Sequence, residues 1–443
     1  MENEALSKHF TPGDIIKFAL PNTVMMVFLS LYVIVDGMFI SRFVSELALS
    51  AVNMFYPIMS LVYAVGVMLG TGGNAVIACK MGMGQMDEAR EDFSLLIFIS
   101  VLGGLLFPLL CLPFFEELLK ILGTSPVQMP YCISYGGIML VFAPIAMLQT
   151  VFQMYFATAG KPGLGMWLVV IGGILNVALD ALFMGPMKMG VRGAAVATCI
   201  GNGVPAIAGL LYFAFNRKGS LYLVKFSFRK RTITQTCSNG ISELIANAAI
   251  AVTTFLFNLI FMHFWAENGV AAITIMSYYQ FVFSSVFMGF GMGAAPIISY
   301  KYGSGDKEQL KSVIRFCLLF IIAASFGVYL LSRLSIGWSL RLFTNPGSPV
   351  YDIAMEGFGI YALQFLLLGL GLFSSGMFTA LNNGIVSGII SFLRTFLFLV
   401  GSLLLLPAAF GKAGVWAAVP VAEALGLIVS VSFIIWGKKK YGY

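Results

Sequence analysis

Charged residues are scarce in this chain. Asp, Glu, Lys and Arg together make up 10% of its 443 residues, whereas soluble globular domains carry about 25%. Hydrophobic residues account for 59%, and the mean hydropathy is +0.93. This composition excludes an ordinary soluble domain. We therefore interpret the chain as an integral membrane protein that has a lipid bilayer as its surroundings.

Histidine and cysteine are also few, at two and six residues. His9 and His263 have no companion at metal-ligand spacing, and the cysteines are scattered without a paired spacing. We expect neither disulfides nor a cysteine–histidine metal site, and no cofactor. Without a metal-ligand cluster or a Ser/His/Asp arrangement, a membrane-embedded enzyme is the least favoured class of function.

Long apolar runs are abundant. Each run is at least about 18 residues long, enough to cross a hydrocarbon core of roughly 30 Å as a helix. A transmembrane barrel would instead show alternating segments of about ten residues. We predict an all-α fold with twelve transmembrane helices, at about 15–41, 50–79, 93–115, 131–157, 163–184, 193–215, 238–264, 271–299, 311–332, 353–380, 384–407 and 413–436.

The positive charges are arranged as membrane topology requires. The net charge of +7 does not indicate nucleic-acid binding, because Lys and Arg concentrate in alternate connections, which marks those connections as cytoplasmic. We expect both termini to be cytoplasmic and the protein to be multi-pass in a bacterial cytoplasmic membrane. The strongest contributions come from Arg217, Lys218, Lys225, Arg229, Lys230, Arg231, Lys438, Lys439 and Lys440.

The two halves of the chain repeat each other at an offset of about 221 residues. Six predicted spans fall in each half, so both halves enter the membrane in the same sense, as in transporters built from parallel repeats. We predict two six-helix bundles, 1–215 and 237–443, joined by a basic cytoplasmic linker, 216–236. The matching pairs are Gly70/Gly291, Gly72/Gly293, Lys80/Lys301, Gly82/Gly303, Gly84/Gly305, Gly190/Gly411, Gly193/Gly414 and Ala197/Ala418.

Asp36 is a lone carboxylate inside an apolar stretch. Such a charge costs about 2.5–3.5 kcal/mol at mid-bilayer, so acids in spans pair, bind ions or carry protons. Asn176 and Asp180 lie one helical turn apart on span five, and Tyr32 stands in the same relation to Asp36. If these faces meet, their oxygens suit a small cation or a shared proton. The coupling ion is therefore H⁺ or Na⁺.

The repeat separates architectural residues from special ones. A residue that the fold alone requires should reappear in the other half, but the polar residues of the first half do not. The counterparts of Asp36, Asn176, Asp180 and Thr198 are Phe257, Phe398, Ser402 and Val419. Pro21 removes a backbone hydrogen bond early in span one, so it either kinks the helix permanently or lets it bend during transport.

Four short motifs carry a resemblance to a known family. They are Ala19-Leu20-Pro21 with Asp36 beyond it, residues 80–84, residues 159–162 and residues 190–198. In this order the chain resembles the multidrug and toxic compound extrusion (MATE) family, in the branch of the DNA-damage-inducible and Staphylococcal multidrug exporters. The resemblance implies an ion site, with Na⁺ as one candidate ion, at Asp36, Asn176, Asp180 and Thr198, with Tyr32 and Tyr135 around it.

Other polar residues in the spans have two interpretations each. Gln153, Met154, Glu243 and Gln280 are candidates for a substrate cavity, although helix packing or an interfacial position explains them equally. Arg394 and Glu423 are deep enough to need partners. They form either a structural ion pair or a part of the transport machinery.

The function predicted from these features is secondary active antiport. Exchange with H⁺ or Na⁺ would drive export of organic cations by alternating access, with the protein working as a monomer. The alternative is a flippase for a lipid-linked oligosaccharide or a related polar lipid. Its pyrophosphate cargo would favour a cationic cavity, whereas the deep charges are Asp36, Asp180, Glu243 and Glu423 against Arg394.

Overall fold

The computed structural model describes residues 5–443, and every regular element within this range is helical. A 3₁₀ turn, Leu112–Phe114, follows the third helix, and a π-helical segment, Phe392–Phe398, precedes the last. The predicted all-α class is confirmed. The helices are α1 Pro12–Phe43, α2 Glu46–Gly82, α3 Met86–Cys111, α4 Phe115–Ile121, α5 Met129–Val141, α6 Ala143–Thr158, α7 Pro162–Met184, α8 Val191–Phe215, α9 Lys230–Gly303, α10 Lys307–Leu340, α11 Pro349–Tyr361, α12 Gln364–Ala380, α13 Gly384–Ser391 and α14 Leu399–Tyr441.

The start of α1 is encoded by its first residues. Thr11 is the N-cap, its hydroxyl accepts a hydrogen bond from the Asp14 amide, and the Asp14 carboxylate accepts one from the Thr11 amide. Pro12 follows at the first helical position, where its missing N–H costs nothing. Such a cap stabilises a helix by about 1 kcal/mol. The apolar interior then continues as a helix because lipid offers its backbone groups no other partners.

Within residues 5–443, eight helices are long and apolar enough to cross a membrane. The number rises to ten when each of two bent pairs, α5 with α6 and α11 with α12, is taken as one span; the bends are 58° and 61°. Two of the longest helices are interrupted. Ala266 in α9 has φ 52° and Gly411 in α14 has φ 57°. Such values lie outside helical geometry, so each of these helices changes direction there.

The turns of the first half recur in the second. Residues with positive φ fall at Gly84 and Gly305, at Gly160 and Asn382, and at Gly190 and Gly411. Each pair is separated by 221 or 222 positions. The chain therefore reverses direction with the same backbone geometry at corresponding places.

Two aromatic clusters fill the interior. In α3, α6 and α8 the rings of Phe93, Phe152 and Phe213 are fully buried and pack with centroids 4.8 to 5.5 Å apart. In α9 and α14 the ring of Phe261 lies 5.0 Å from that of Trp416. Inside a bilayer these contacts act through close packing and not through exclusion of water.

Helices α2 and α9 approach so closely that only glycine fits between them. A Cβ atom added to Gly82 would overlap the carbonyl oxygen of Tyr300, and one added to Gly303 would overlap that of Cys79. The two contacts are related by the same shift of 221 residues. We refer to Cys79, Gly82, Tyr300 and Gly303 as the glycine seam. Small residues of this kind let helix backbones touch in membranes.

A second matched pair of contacts lies deeper along the same helices. A Cβ atom on Gly72 would come within 2.8 Å of the Gly240 amide, and one on Gly293 within 2.6 Å of the Ala19 Cα atom. These contacts join α2 to α9 and α9 to α1. All four contacts, those of the glycine seam included, lie in the halves of the helices that are nearest the chain termini.

Ion pairs tie the segment before α9 to the end of α2 and the start of α3. The Asp92 side chain is fully buried, with its carboxylate 2.6 Å from the Lys80 ammonium. The Thr232 hydroxyl donates to the same carboxylate at 3.0 Å, and Arg229 pairs with Glu91 at 2.7 Å. The basic segment is therefore fixed against α3, and it becomes helical at Lys230.

Candidate functional site

The four residues singled out in the first half come together. Asp36 lies in α1, Asn176 and Asp180 in α7, and Thr198 in α8. The Asn176 amide donates to the Thr198 hydroxyl at 3.2 Å. The carboxyl groups of Asp36 and Asp180 lie within range of direct electrostatic interaction. Asn176 and Asp180 are fully buried, whereas Asp36 is partly buried, so the two acids share a site with little exposure to solvent.

Close backbone contacts bring these helices together. A Cβ atom on Gly201 of α8 would come within 2.8 Å of the Asn176 side chain and 2.9 Å of the Gly172 carbonyl oxygen. A Cβ atom on Gly173 would come within 2.5 Å of the Phe28 ring of α1. The absence of side chains at these glycines lets α8 and α1 approach α7. The polar residues of three helices are thus placed side by side.

Four oxygen atoms of this cluster are buried without a hydrogen-bond partner. They are Asp36 Oδ1, both carboxyl oxygens of Asp180 and Asn176 Oδ1. An unpaired buried polar group is costly, and an ionised one more so. A proton shared between the acids, or a small cation among the four oxygens, would remove that cost. The arrangement is chemically suited to take up either one.

Three tyrosines surround the carboxylates. Tyr32 interacts with both acids and with the Thr198 hydroxyl, and Tyr135 is close to Asp36. Tyr63, which sequence reasoning missed, lies beside Asn202 and close to Asp36. A signal for Asn202 existed, because it follows Thr198 by one helical turn on α8. No comparable signal pointed to Tyr63 on α2.

A small cavity adjoins the cluster. Tyr32 and Asn202 line it together with Leu29, Gln149, Val169, Gly172, Gly173, Gly201 and Pro205. The space within it, including its part open to solvent, is about 240 Å³, which is too small for a drug-sized ligand.

Pro21 lies far from the carboxylates. It precedes Asp36 by fifteen residues, or about 22 Å along a helix. Its neighbours Ala19 and Thr23 instead touch Gly293 and Gly289 of α9. The structure therefore places Pro21 at the contact between α1 and α9.

A larger cavity lies between α2 and α6 on one side and α9 and α12 on the other. The space within it, including its part open to solvent, is about 640 Å³. Met154 and Glu243 line it, whereas Gln153 is buried in α6 and the Gln280 side chain accepts a hydrogen bond from Tyr361. The other lining residues are Thr71, Asn74, Ala75, Phe287, Met288, Gly291, Met292, Ala295, Leu372, Gly376, Thr379 and Ala380.

Arg394 and Glu423 meet in the second half. A single guanidinium nitrogen of Arg394, Nη1, lies 3.1 and 3.3 Å from the two carboxyl oxygens of Glu423. Both residues are more than nine-tenths buried. A charged side chain at this depth needs a partner of opposite charge. Arg394 and Glu423 are such partners for each other.

Within residues 5–443, no three His, Cys, Asp or Glu side chains gather as metal ligands. The carboxylate cluster contains two acids and completes its oxygen set with Asn176 and Thr198. This donor set resembles the oxygen ligation of hard cations and not the nitrogen and sulfur ligation of zinc.

The family model MatE matches this chain twice, over residues 21–182 and 244–404. The chain belongs to the MATE family. It is 23% identical over 419 residues to the multidrug export protein MepA of Staphylococcus aureus (strain MRSA252), covering 94% of this chain and 92% of MepA. Identity to MepA of Staphylococcus haemolyticus (strain JCSC1435) is 24% over 441 residues, covering 98% and 96%.

Solved MATE structures share the fold. A structure described as the outward-facing conformation of a multidrug resistance MATE family transporter of the MOP superfamily superposes with a TM-score of 0.92 at 20% identity, covering 100% of this chain and 98% of that one. The predicted family is therefore confirmed. The chain is a multi-pass membrane transporter of a multidrug efflux family and not an enzyme.

Proposed function

We propose that this MATE protein is a secondary active antiporter that exports organic cations in exchange for H⁺ or Na⁺. The observation that carries the proposal is the set of four unpartnered oxygens on Asp36, Asn176 and Asp180. Uptake of a proton or Na⁺ there would neutralise charge between α1 and α7. Its release would restore the repulsion between two buried carboxylates, which favours a different packing of α1.

A parallel repeat of two six-helix bundles supports alternating access. Division of α9 at Ala266 and α14 at Gly411, with each bent pair as one span, yields twelve spans. The two family-model matches begin 223 residues apart, in keeping with the recurring turns. On this basis we assign the bundles to 1–215 and 237–443, with 216–236 between them. The ion site lies within one bundle, so a monomer would suffice.

The basic residues and the glycine seam support an orientation of the chain in the membrane. The basic residues near both termini favour a cytoplasmic location for that side. The glycine seam lies on the same side, and its close contacts favour a conformation that is closed to the cytoplasm and open to the opposite face. In a bacterial relative of MepA, the membrane concerned would be the plasma membrane. Transport then requires the seam to separate once per cycle.

The cavity chemistry favours a cationic cargo. Glu243 supplies a carboxylate, and Met154, Met288 and Met292 supply a soft surface that adapts to varied apolar shapes. A lipid-linked pyrophosphate would need positive charge in the wall. The Arg394 guanidinium is instead engaged by Glu423. The flippase is therefore the weaker proposal.

Efflux from proteoliposomes tests the antiporter. Vesicles loaded with ethidium would receive an imposed proton gradient or an imposed Na⁺ gradient, with wild type compared with Asp36→Asn and Asp180→Asn. We expect one gradient to drive efflux, with a loss of about tenfold or more in each variant, since each removes a required charge. Ser402→Ala, at the repeat counterpart of Asp180, is the matched control.

Each alternative result has a distinct meaning. Equal gradient-driven efflux in wild type and both variants would overturn the assignment of the ion site. Absence of ethidium efflux under either gradient, together with movement of a fluorescent polar lipid between leaflets, would replace the antiporter by the flippase. The gradient that works identifies the coupling ion.

A further inference from the structure

Arg394 occupies an unusual stretch of backbone. It lies in the π-helical segment Phe392–Phe398, and such segments frequently mark functional sites. Its aliphatic stem passes between two glycines on neighbouring helices. A Cβ atom on Gly426 would come within 2.7 Å of the Arg394 Cγ atom, and one on Gly371 within 2.9 Å of the Cδ atom. The Arg394 stem therefore packs against glycines on both sides and does not interlock with side chains there.

The guanidinium is only partly satisfied by Glu423. Nη1 alone contacts the carboxylate, although the group has five N–H donors and commonly pairs with a carboxylate through two nitrogens. Nε is buried without a partner. An arginine with a purely structural role would be expected to pair with the carboxylate through two of its guanidinium nitrogens. The observed pairing leaves donors available for a second carboxylate.

Glu243 is that second carboxylate. It lines the large cavity, and Arg394 lies within electrostatic reach of it. Helix α12 connects the two, since its Gly371 contacts the Arg394 stem and its Leu372 is in the cavity wall. Helix α13 packs on α9 beside Glu243, with a Cβ atom on Gly388 only 3.0 Å from the Ile241 side chain. Within residues 5–443, Glu243 has no ion pair of its own.

The charges of this cluster do not balance. Glu243, Glu423 and Arg394 together carry one net negative charge when all are ionised. One organic cation beside Glu243 would bring the sum to zero. Among residues 5–443, Arg394 is the positive group that pairs with Glu423 and interacts with Glu243, and an unpaired charge at this depth is unfavourable.

Resting on the proposed export of cations, we propose that Arg394 is a movable counter-ion whose capture by Glu423 keeps Glu243 available for a cationic substrate. With cargo present, Arg394 pairs with Glu423 and the cation pairs with Glu243. Without cargo, Arg394 turns toward Glu243 and the two acids share it. Glu423 is thus a positioning residue, because it sets the affinity for a ligand that it does not touch.

Binding measurements on the purified protein test this role. Isothermal titration would compare tetraphenylphosphonium, a cation, with tetraphenylborate, an anion of the same shape. We expect wild type to prefer the cation, and Glu243→Gln to bind it about tenfold more weakly. Glu423→Gln should weaken binding to a similar extent, because the released Arg394 then neutralises Glu243.

The decisive variant is the double substitution Arg394→Gln/Glu423→Gln. Removal of the arginine together with its partner leaves Glu243 free, so cation affinity should return to within about threefold of wild type. A structural ion pair would give no such recovery. Arg394→Gln alone should bind the cation as tightly as wild type or more tightly, which preserves the test if Glu423→Gln does not fold.

The outcomes separate the inference from the function on which it rests. Failure of wild type to bind tetraphenylphosphonium at all would overturn both. Cation binding in wild type that is unchanged in folded Glu423→Gln, that stays weak in the double variant, or that falls in Arg394→Gln would overturn the counter-ion role alone.

Discussion

The Asn176 amide donates to the Thr198 hydroxyl at 3.2 Å, one helical turn from Asp180. This bond fixes which atom of the Asn176 side chain faces the acids. Its oxygen is left without a partner beside those of Asp36 and Asp180. An interhelical bond thus orients the oxygen that we propose as an ion ligand.

Loss of this hydrogen bond should weaken ion uptake. Thr198→Val removes the acceptor, so the Asn176 amide is free to rotate and offer its NH₂ to the site. We expect the apparent affinity for the coupling ion, measured by efflux, to fall about tenfold. We also expect the free energy of unfolding to fall by about 1 kcal/mol. Thr198→Ser keeps the hydroxyl and should behave as wild type in the same titration. Equal ion affinity in Thr198→Val would contradict the proposed orientation.

Replacement of Asp180 should stabilise the protein while it abolishes coupling. Two close buried carboxylates repel each other, and Asp180→Asn removes one of those charges without a large change of shape. Thermal unfolding in detergent without coupling ion should give a higher midpoint for the variant, as at other strained functional sites.

Added ion should have the opposite effect on the two proteins. At tenfold excess over the dissociation constant, ion binding should stabilise wild type by about 1.4 kcal/mol. Asp180→Asn should show little gain. A variant that is both less stable than wild type and still stabilised by the ion would exclude Asp180 from the site.

A methyl group in the glycine seam should open it. Gly303→Ala places a Cβ atom against the Cys79 carbonyl, so the two helices must separate. We expect the conformation open toward the termini to become more populated, visible as faster labelling by a maleimide of a cysteine introduced at Thr71 in the cavity wall, in a background without native cysteines. Gly137→Ala, where nothing lies within 4 Å, is the control. Unchanged labelling in Gly303→Ala would mean that the seam does not move.

The buried ion pair before α9 should matter far more than its exposed neighbour. Asp92→Asn removes the buried carboxylate 2.6 Å from the Lys80 ammonium and leaves Lys80 with the more exposed Glu88 at 3.0 Å, at a cost of about 2 kcal/mol. Asp87→Asn breaks the pair with Arg90, but Asp87 is 97% exposed, so we expect less than about 0.5 kcal/mol. Unfolding midpoints of the two variants under identical conditions provide the comparison. Similar losses in both would show that burial does not set the strength of the pair.

The residues of the carboxylate cluster could be predicted from the sequence because the pattern that marks them is local. A lone acid in an apolar span and a pair of polar residues one turn apart stand out without knowledge of the fold. Tyr63 did not stand out, since a tyrosine in a span is ordinary and only the packing of α2 brings it near Asp36. The same limit applies to Gln153 and Gln280, whose orientation depends on neighbouring helices.

The extent of the helices was less predictable from hydropathy. The predicted span 311–332 corresponds to a helix from Lys307 to Leu340, because polar residues continue the backbone hydrogen bonds beyond the hydrocarbon. The predicted spans 238–264 and 271–299 leave residues 265–270 as their connection, and the structure has its irregular residue at Ala266. The electrostatic interaction between Arg394 and Glu243 could not be foreseen, because the two residues are 151 positions apart in sequence.

The glycine seam also bears on how the cell keeps its ion gradient. Contact between bare backbones leaves no side chain to swing aside and admit water, so the seam would also act as a seal. A protein with a poor seal would discharge the membrane even when it has no cargo. Natural selection would then preserve these glycines because they affect growth even when no drug is present, and not only because they affect drug resistance.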